Sequence, residues 1–418
     1  MMRELLSREN LLSALKRVEK NKGKHGVDGM TVKSLRGHLL LNWEEIRNSL
    51  RDGTYEPMPV RRVEIPKPNG GIRLLGIPTV TDRLIQQAIA QILTPIFDPA
   101  FSEHSYGFRP RRRAHDAVKE ARSYMEEGYR WVIDMDLEKF FDKVNHDMIM
   151  GLIEKKVKDK TILKLIRKYL KSGIMINGLE VISEEGVPQG GPLSPLLSNI
   201  MLDELDKELE KRGHRFVRYA DDCNIYVKTK KAGLRVKQSI TTFIEKKLKL
   251  KVNDEKSAVD RPWKRKFLGF SFTFHRSPKI RIAKESMKRA RGRIKELTSR
   301  SKSIPMDIRI EKINEYLVGW CNYFSLADTP TPFKQLDESL RRRLRMCLWK
   351  QWKLPRTKVK RLISLGVPRE KAYEWGNSRK KYWRISNSPI LHTTLNLAFW
   401  RKQKLKSLVD RYNHLRHT

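Results

Sequence analysis

Residues 216–227 read FVRYADDCNIYV. Two short runs rich in aromatic and β-branched residues flank Ala220-Asp221-Asp222, the pattern of a β-hairpin with two acidic residues at its turn. Side chains alternate along a strand, so such a hairpin commits the chain to a sheet with one buried face. Adjacent carboxylates repel, and holding both ionised calls for a positive group between them. A divalent cation is the usual solution.

A second acidic stretch answers the first. Residues 130–147 read RWVIDMDLEKFFDKVNHD. The spacing predicts a strand from Trp131 to Leu137, with Asp134 and Asp136 on one face and Ile133, Met135 and Leu137 on the other. A helix carrying Phe140 and Phe141 is expected from about Glu138. Carboxylates on a strand that otherwise wants burial need a metal or hydrogen-bond donors; the alternative is an edge strand with a wet face. Asp134, Asp221 and Asp222 together suit a site for two Mg²⁺ ions, with Mn²⁺ as a possible substitute. The chain has no H-E-x-x-H pattern, and such a site needs no histidine base.

Charge says what the metal would serve. The 418 residues carry a net +40, and 40 Lys+Arg against 11 Asp+Glu fall from Arg261 onward. An excess of that size points to phosphate contacts, and so to nucleic acid. Seven of the nine tryptophans also fall beyond residue 260, interleaved with Lys and Arg, a composition suited to stacking on bases. Trp320 and Trp349 read instead as core anchors. No apolar run approaches the length of a membrane span. The N-terminal segment reads as an amphipathic helix and not as a secretory signal. Three scattered cysteines fit a reducing, cytoplasmic setting and leave no Cys-rich zinc site.

The remaining motifs fall between these landmarks. IPKPNGGIRLLGIP (65–78) reads as a tight hairpin with Lys67 and Arg73 on either side of its turn. It is either a solvated hairpin or a finger whose cations neutralise a triphosphate. GVPQGGPLSPLLSNIMLDELD (186–206) places Gly186, Gly190 and Gly191 where backbone can approach a ligand closely, and opens a long helix at Ser194. Lys256, in KLKLKVNDEKS, is a candidate for balancing phosphate charge. Trp263–Phe274 reads as a further hairpin. Past Lys284 the strands stop and basic amphipathic helices such as DESLRRRLRMCLWKQWK follow; the arginines of 341–345 are expected to contact RNA.

Taken together these motifs resemble the reverse transcriptases encoded by bacterial group II introns, in particular the compact class C type without an endonuclease domain. The resemblance spans nearly the whole chain: the hairpin at 65–78, HSYGFRPRRRAHDAV (104–118), the two acidic motifs, the glycine-rich motif, KLKLKVNDEKS (247–257) and FLGFSF (267–272). It implies an α+β right-hand polymerase, with fingers and an antiparallel palm sheet, then a helical thumb or maturase domain and a small basic C-terminal domain. The implied boundaries are 1–60, 61–284, 285–370 and 371–418. It also implies roles. Asp134, Asp221 and Asp222 would be metal ligands, with the Met135 carbonyl beside them. Lys67 and Arg73 would grip the triphosphate. Phe141 would stack under the sugar and exclude a 2′-hydroxyl. Pro188 and Gln189 would lie under the nucleotide, and Lys256 near the site. Asp136 would play a supporting part. The implied partners are structured intron RNA, an RNA template with a DNA or RNA primer, target DNA and dNTPs, with no membrane. Two other readings stay open: a bacterial reverse transcriptase for defence or diversity generation, and a splicing-only RNA-binding cofactor.

Overall fold

The computed structural model describes residues 1–66, 70–176, 179–181, 186 and 190–417. The chain forms two compact units, Met1–Pro262 and Trp263–Thr418. The division falls earlier than the 284 boundary that the motifs suggest, so FLGFSF belongs to the second unit.

The first unit mixes helices with two sheets. Its strands are β1 (Val60–Pro66), β2 (Ile72–Ile77), β3 (Trp131–Met135), β4 (Ile174–Ile176), β5 (Leu179–Val181), β6 (Arg215–Tyr219), β7 (Asp222–Val227) and β8 (Ala258–Asp260). One sheet runs β2-β1-β4-β5, with β1 parallel to β4 and the other pairs antiparallel. The other runs β6-β7-β3-β8 and is antiparallel throughout. Ile133, Met135, Cys223 and Ile225 form its apolar face and join the core with helices Val80–Phe97, Ser194–Lys211 and Lys230–Lys247.

The helices that carry this core are buried on more than one side. Pro195 stands in the first turn of Ser194–Lys211, where its missing N–H costs no hydrogen bond. That helix also buries Asn199 and Asp206, which therefore need partners. Val80–Phe97 is capped by Thr79, whose hydroxyl accepts from the Asp82 amide. The buried Asp82 carboxylate in turn accepts from Tyr55, Tyr169, Thr79 and the Met58 amide. This node ties the approach to β1 to helices Val80–Phe97 and Lys160–Lys171.

The second unit opens with β9 (Phe270–Phe272) and β10 (Ile280–Ile282), paired antiparallel. The expected hairpin within Trp263–Phe274 is thus displaced: Phe267 and Phe270 form only an isolated bridge, and the partner of β9 is β10, beyond residues 273–279. Helices follow, chiefly Lys284–Leu297, Met306–Phe324 and Thr331–Gln351. The Leu408–His417 helix packs on the last two, where buried Asp337 accepts from the Leu408 and Val409 amides and the Ser407 hydroxyl. Trp349 and Trp400 are core residues. The arginine run 341–345 is not one exposed face, because Arg345 is buried and donates to the Ser386 carbonyl. Among the described residues no helix is long and apolar enough to cross a membrane.

Candidate active site

The β6–β7 hairpin closes at Tyr219 and Asp222, leaving Ala220 and Asp221 as its turn. Ala220 takes a left-handed conformation, φ 57°, which a residue with a Cβ adopts only when its surroundings impose it. Those surroundings lie beneath the turn. Strand alternation puts Arg218 on the apolar face with Phe216, and it is fully buried. Its guanidinium grips the Asp206 carboxylate at 2.7 and 2.5 Å and donates to Asn199 Oδ1 at 3.1 Å. It also donates to the Ala220 carbonyl at 2.9 Å. Burial works against both charges and raises the Asp206 carboxyl, while the bidentate contact opposes it. An arginine keeps its proton in proteins, and its bidentate contact favours the ionised carboxylate beside it.

A neighbouring segment locks the same turn from the side. The Tyr106 amide donates to the Arg218 carbonyl, and the Arg218 amide donates to the His104 carbonyl. Asn199 donates to the Gly107 carbonyl. A Cβ on Gly107 would lie 2.2 Å from the Ala220 nitrogen, so only glycine fits there.

Register decides which strand carboxylate meets the turn. Met135 pairs with Cys223 and Asp134 with Asn224. Asp136 follows directly on Met135, the last residue of β3, on the side toward the turn. Asp134, expected as the strand partner of the turn, pairs opposite Asn224, two residues back along β3. Asp136 is held by its backbone, donating to Ser257 Oγ at 3.0 Å and accepting from the Asn253 amide at 2.8 Å. Its carboxylate lies 3.3 Å from the Lys256 ammonium. The Asp221 carboxyl sits above the ordinary aspartate range, first through burial and then through the charge of Asp136; its own amide, Arg73 and Arg218 oppose this.

The other expected residues divide as follows. Arg73 is exposed on β2, across from Ile65, and within electrostatic reach of Asp221. Met135 points into the core, 1% exposed. Phe141 is partly buried, its ring 5.2 Å from that of Phe140. Lys67, Pro188 and Gln189 lie outside the described residues. Gly186 and Gly190 are described: a Cβ on Gly186 would meet the Phe141 carbonyl at 2.8 Å, and one on Gly190 would meet the Gly76 carbonyl at 2.8 Å. Both have positive φ, so both positions require glycine.

No group of three or more His, Cys, Asp or Glu side chains among the described residues is gathered closely enough to hold an ion. The donors at this end of the sheet are nonetheless all carboxylates, the set a hard divalent cation prefers. Asp136 destabilises the charge on Asp221, which marks this end as a place that favours added positive charge. The residues fit such an ion.

An antiparallel sheet with acidic residues at the ends of its inner strands, a cationic hairpin and a basic helical unit are the parts that a metal-dependent, template-copying nucleic-acid polymerase needs. Residues 65–272 match the family described as reverse transcriptase (RNA-dependent DNA polymerase), and residues 287–363 match the group II intron maturase-specific domain. The chain is 34% identical over 299 residues to Protein YkfC of Escherichia coli K12, covering 62% of this chain and 78% of that one. It is 32% identical over 390 residues to the group II intron-encoded protein LtrA of Lactococcus lactis, covering 70% of this chain and 64% of that one. A solved partial Cas6-RT-Cas1–Cas2 complex matches with 26% identity, TM-score 0.35, 58% of this chain and 42% of that chain. The chain belongs to the group II intron-encoded reverse transcriptase family, and its class is RNA-directed DNA polymerase with a maturase domain. Enzymes of this family generally use divalent metal ions.

Proposed function

We propose that this chain extends a DNA or RNA primer along an RNA template, using Asp136, Asp221 and Asp222 as the acidic residues of the reaction. In the same reading its basic helical unit holds structured intron RNA, promoting splicing and insertion into target DNA. Asp136 replaces Asp134 in this assignment because it follows the last paired residue of β3 toward the turn and bears on the charge of Asp221, whereas Asp134 lies opposite Asn224. The three carboxylates would hold Mg²⁺, two ions in the fullest form, which would lower the pKa of the primer 3′-hydroxyl and stabilise the leaving pyrophosphate.

The chain's own part is positioning and charge. Arg73 donates to the triphosphate of the incoming dNTP, with Lys67 as its family counterpart. The guanidinium fork suits phosphate oxygens and keeps its charge at any working pH. Phe141 backs the sugar, in contact range of the glycine-rich segment through Gly186. Arg218 and Gly107 hold the turn so that Asp221 and Asp222 need no rearrangement when substrate arrives.

The single observation that carries this reading is the place of Asp136 at the turn end of β3, where it bears on the charge of Asp221. Primer extension on RNA in Mg²⁺ tests it, beside filter binding of the same RNA. Asp136→Asn should lose about a hundredfold or more in extension, as Asp221→Asn should, with RNA binding kept. Asp134→Asn should lose far less. Full activity of Asp136→Asn beside an inactive Asp134→Asn would return the role to Asp134.

A further inference from the structure

The loop after the Lys284–Leu297 helix reads TSRSKS from Thr298 to Ser303, with no acidic residue. Its backbone is turned inward. Buried Arg309 donates to the carbonyls of Leu297 at 2.7 Å, Ser299 at 3.1 Å and Lys302 at 2.9 Å. Cys347 donates to the Thr298 carbonyl, Lys350 to the Arg300 carbonyl and Gln351 to the Ile304 carbonyl. With its acceptors spent on the protein, the loop turns cationic side chains outward: Arg300 and Lys302 are both exposed.

An aromatic platform stands beside the loop. Trp383 is 41% exposed, although most large apolar side chains of this unit are buried. Arg342 stacks on it, 4.0 Å from guanidinium carbon to ring centroid, and Arg300 lies 5.5 Å from the neighbouring Tyr382 ring. The platform is fixed from behind. Ile385 is fully buried, the Ser386 hydroxyl donates to the Trp383 carbonyl, and Arg345 donates to the Ser386 carbonyl. Loop and platform border an open groove of about 660 Å³, lined by Lys295, Arg300, Lys302, Arg343, Met346 and Trp383. Its one bordering carboxylate, Glu296, is engaged chiefly by Arg293 at 2.5 Å, with the exposed Lys302 ammonium farther off at 3.8 Å. The maturase-specific match ends at residue 363, so it includes the loop but not the platform.

We propose that this groove binds an unpaired nucleotide, its base stacked against Trp383 and its phosphates on Arg300 and Lys302. A rigid π-face beside fixed cations is the combination that holds single-stranded nucleic acid, and a duplex cannot present a free base to it. Because both walls are set before binding, little ordering cost is added. The site rests on the reading that this unit handles RNA, and it sharpens that reading from general phosphate attraction to recognition of an unpaired residue.

The test uses the full chain and three fluorescein-labelled probes: a short oligoadenylate RNA, its DNA counterpart and a blunt RNA duplex. Trp383→Ala should weaken oligoadenylate binding about tenfold or more while leaving duplex binding and the salt slope unchanged. Trp383→Phe should recover much of the loss. Replacing both Arg300 and Lys302 by Ser should instead flatten the salt slope, by about 0.7 for each cation removed. The DNA probe tells the two sources apart: equal losses assign the site to any single strand, a loss confined to the ribonucleotide assigns it to RNA. Photocrosslinking of a 4-thiouridine oligonucleotide should label the 382–383 peptide. Unchanged oligoadenylate binding by folded Trp383→Ala, equal losses for strand and duplex, or crosslinks confined to other peptides would each overturn the proposal. Primer extension by the same variant, measured separately, reports on the polymerase reading, because Trp383 takes no part in the acidic site.

Discussion

Arg218 and Arg309 are both buried, 0% and 2% exposed, and each holds a loop that faces solvent. They solve the same problem differently. Arg218 shares its charge with the Asp206 carboxylate and spends one further donor on the Ala220 carbonyl. Arg309 donates to the last carbonyl of the preceding helix and to two loop carbonyls, and among the described residues no carboxylate pairs with it. The difference matches what lies above each. Beneath the acidic turn a neutral ion pair adds no net charge, so the turn keeps the negative field that would draw a cation. Beneath the 298–303 loop the guanidinium charge is left to add to the field of Arg300 and Lys302, which suits a surface meant for phosphate.

The comparison can be broken by removing each arginine in turn. Arg218→Met should be the more damaging, costing about 3–5 kcal/mol in chemical denaturation, because it strands Asp206 as an uncompensated buried charge. Removing the carboxylate as well, in Arg218→Met/Asp206→Leu, should restore much of that stability while primer extension stays impaired, since the Ala220 carbonyl has still lost its donor. If the double variant is no more stable than the single one, the ion pair is not the source of the loss.

Arg309→Met should cost less, about 1–3 kcal/mol, because it strands no charge and the freed carbonyls sit on a loop that water can reach. Its sharper effect should be on oligonucleotide binding, through a loosened loop. A loss of stability equal to that of Arg218→Met would mean that the carbonyl cradle is worth as much as an ion pair, and the contrast between the two units would fail.

How much of this was legible beforehand differs along the chain. The acidic turn, the hairpin of β1 and β2, and the helix opening at Ser194 follow from alternation, turn residues and a proline in the first helical turn, all local signals. The choice between Asp134 and Asp136 does not. They alternate onto one face, and it is the pairing of β3 with β7, with Asp134 opposite Asn224, that favours Asp136 in the proposed assignment. Arg218 did leave a trace, since period-two alternation puts it on the apolar face with Phe216, and a charge there demands a partner. That partner, Asp206, lies on a helix whose sequence gives no hint of the contact. The 298–303 loop was illegible for a related reason: its basic residues look like a solvated run until Arg309, a few residues on, is seen to hold the carbonyls.

The smallest expected effect concerns a titratable support that the first unit places beside Arg218. The His104 carbonyl accepts from the Arg218 amide, and its ring Nδ1 lies 2.6 Å from Glu120. That hydrogen bond raises the His104 pKa above 6.5; burial and Arg215 work against it, and the charges of Glu120 and Glu210 add to it. A group whose folded pKa is raised contributes stability that is fully present below its unfolded value and is lost as pH rises through the folded value. The pair is partly open to solvent, its side chains 32% and 17% exposed, so screening limits the contribution to less than about 1 kcal/mol. Denaturation of wild type and His104→Gln should therefore differ most below pH 6.5 and converge in mild alkali. A gap that widens on the alkaline side would mean that His104 acts through its neutral ring and not through the Glu120 ion pair. The segment beside Arg218 would then be held by its backbone hydrogen bonds and packing, without an ionic contribution.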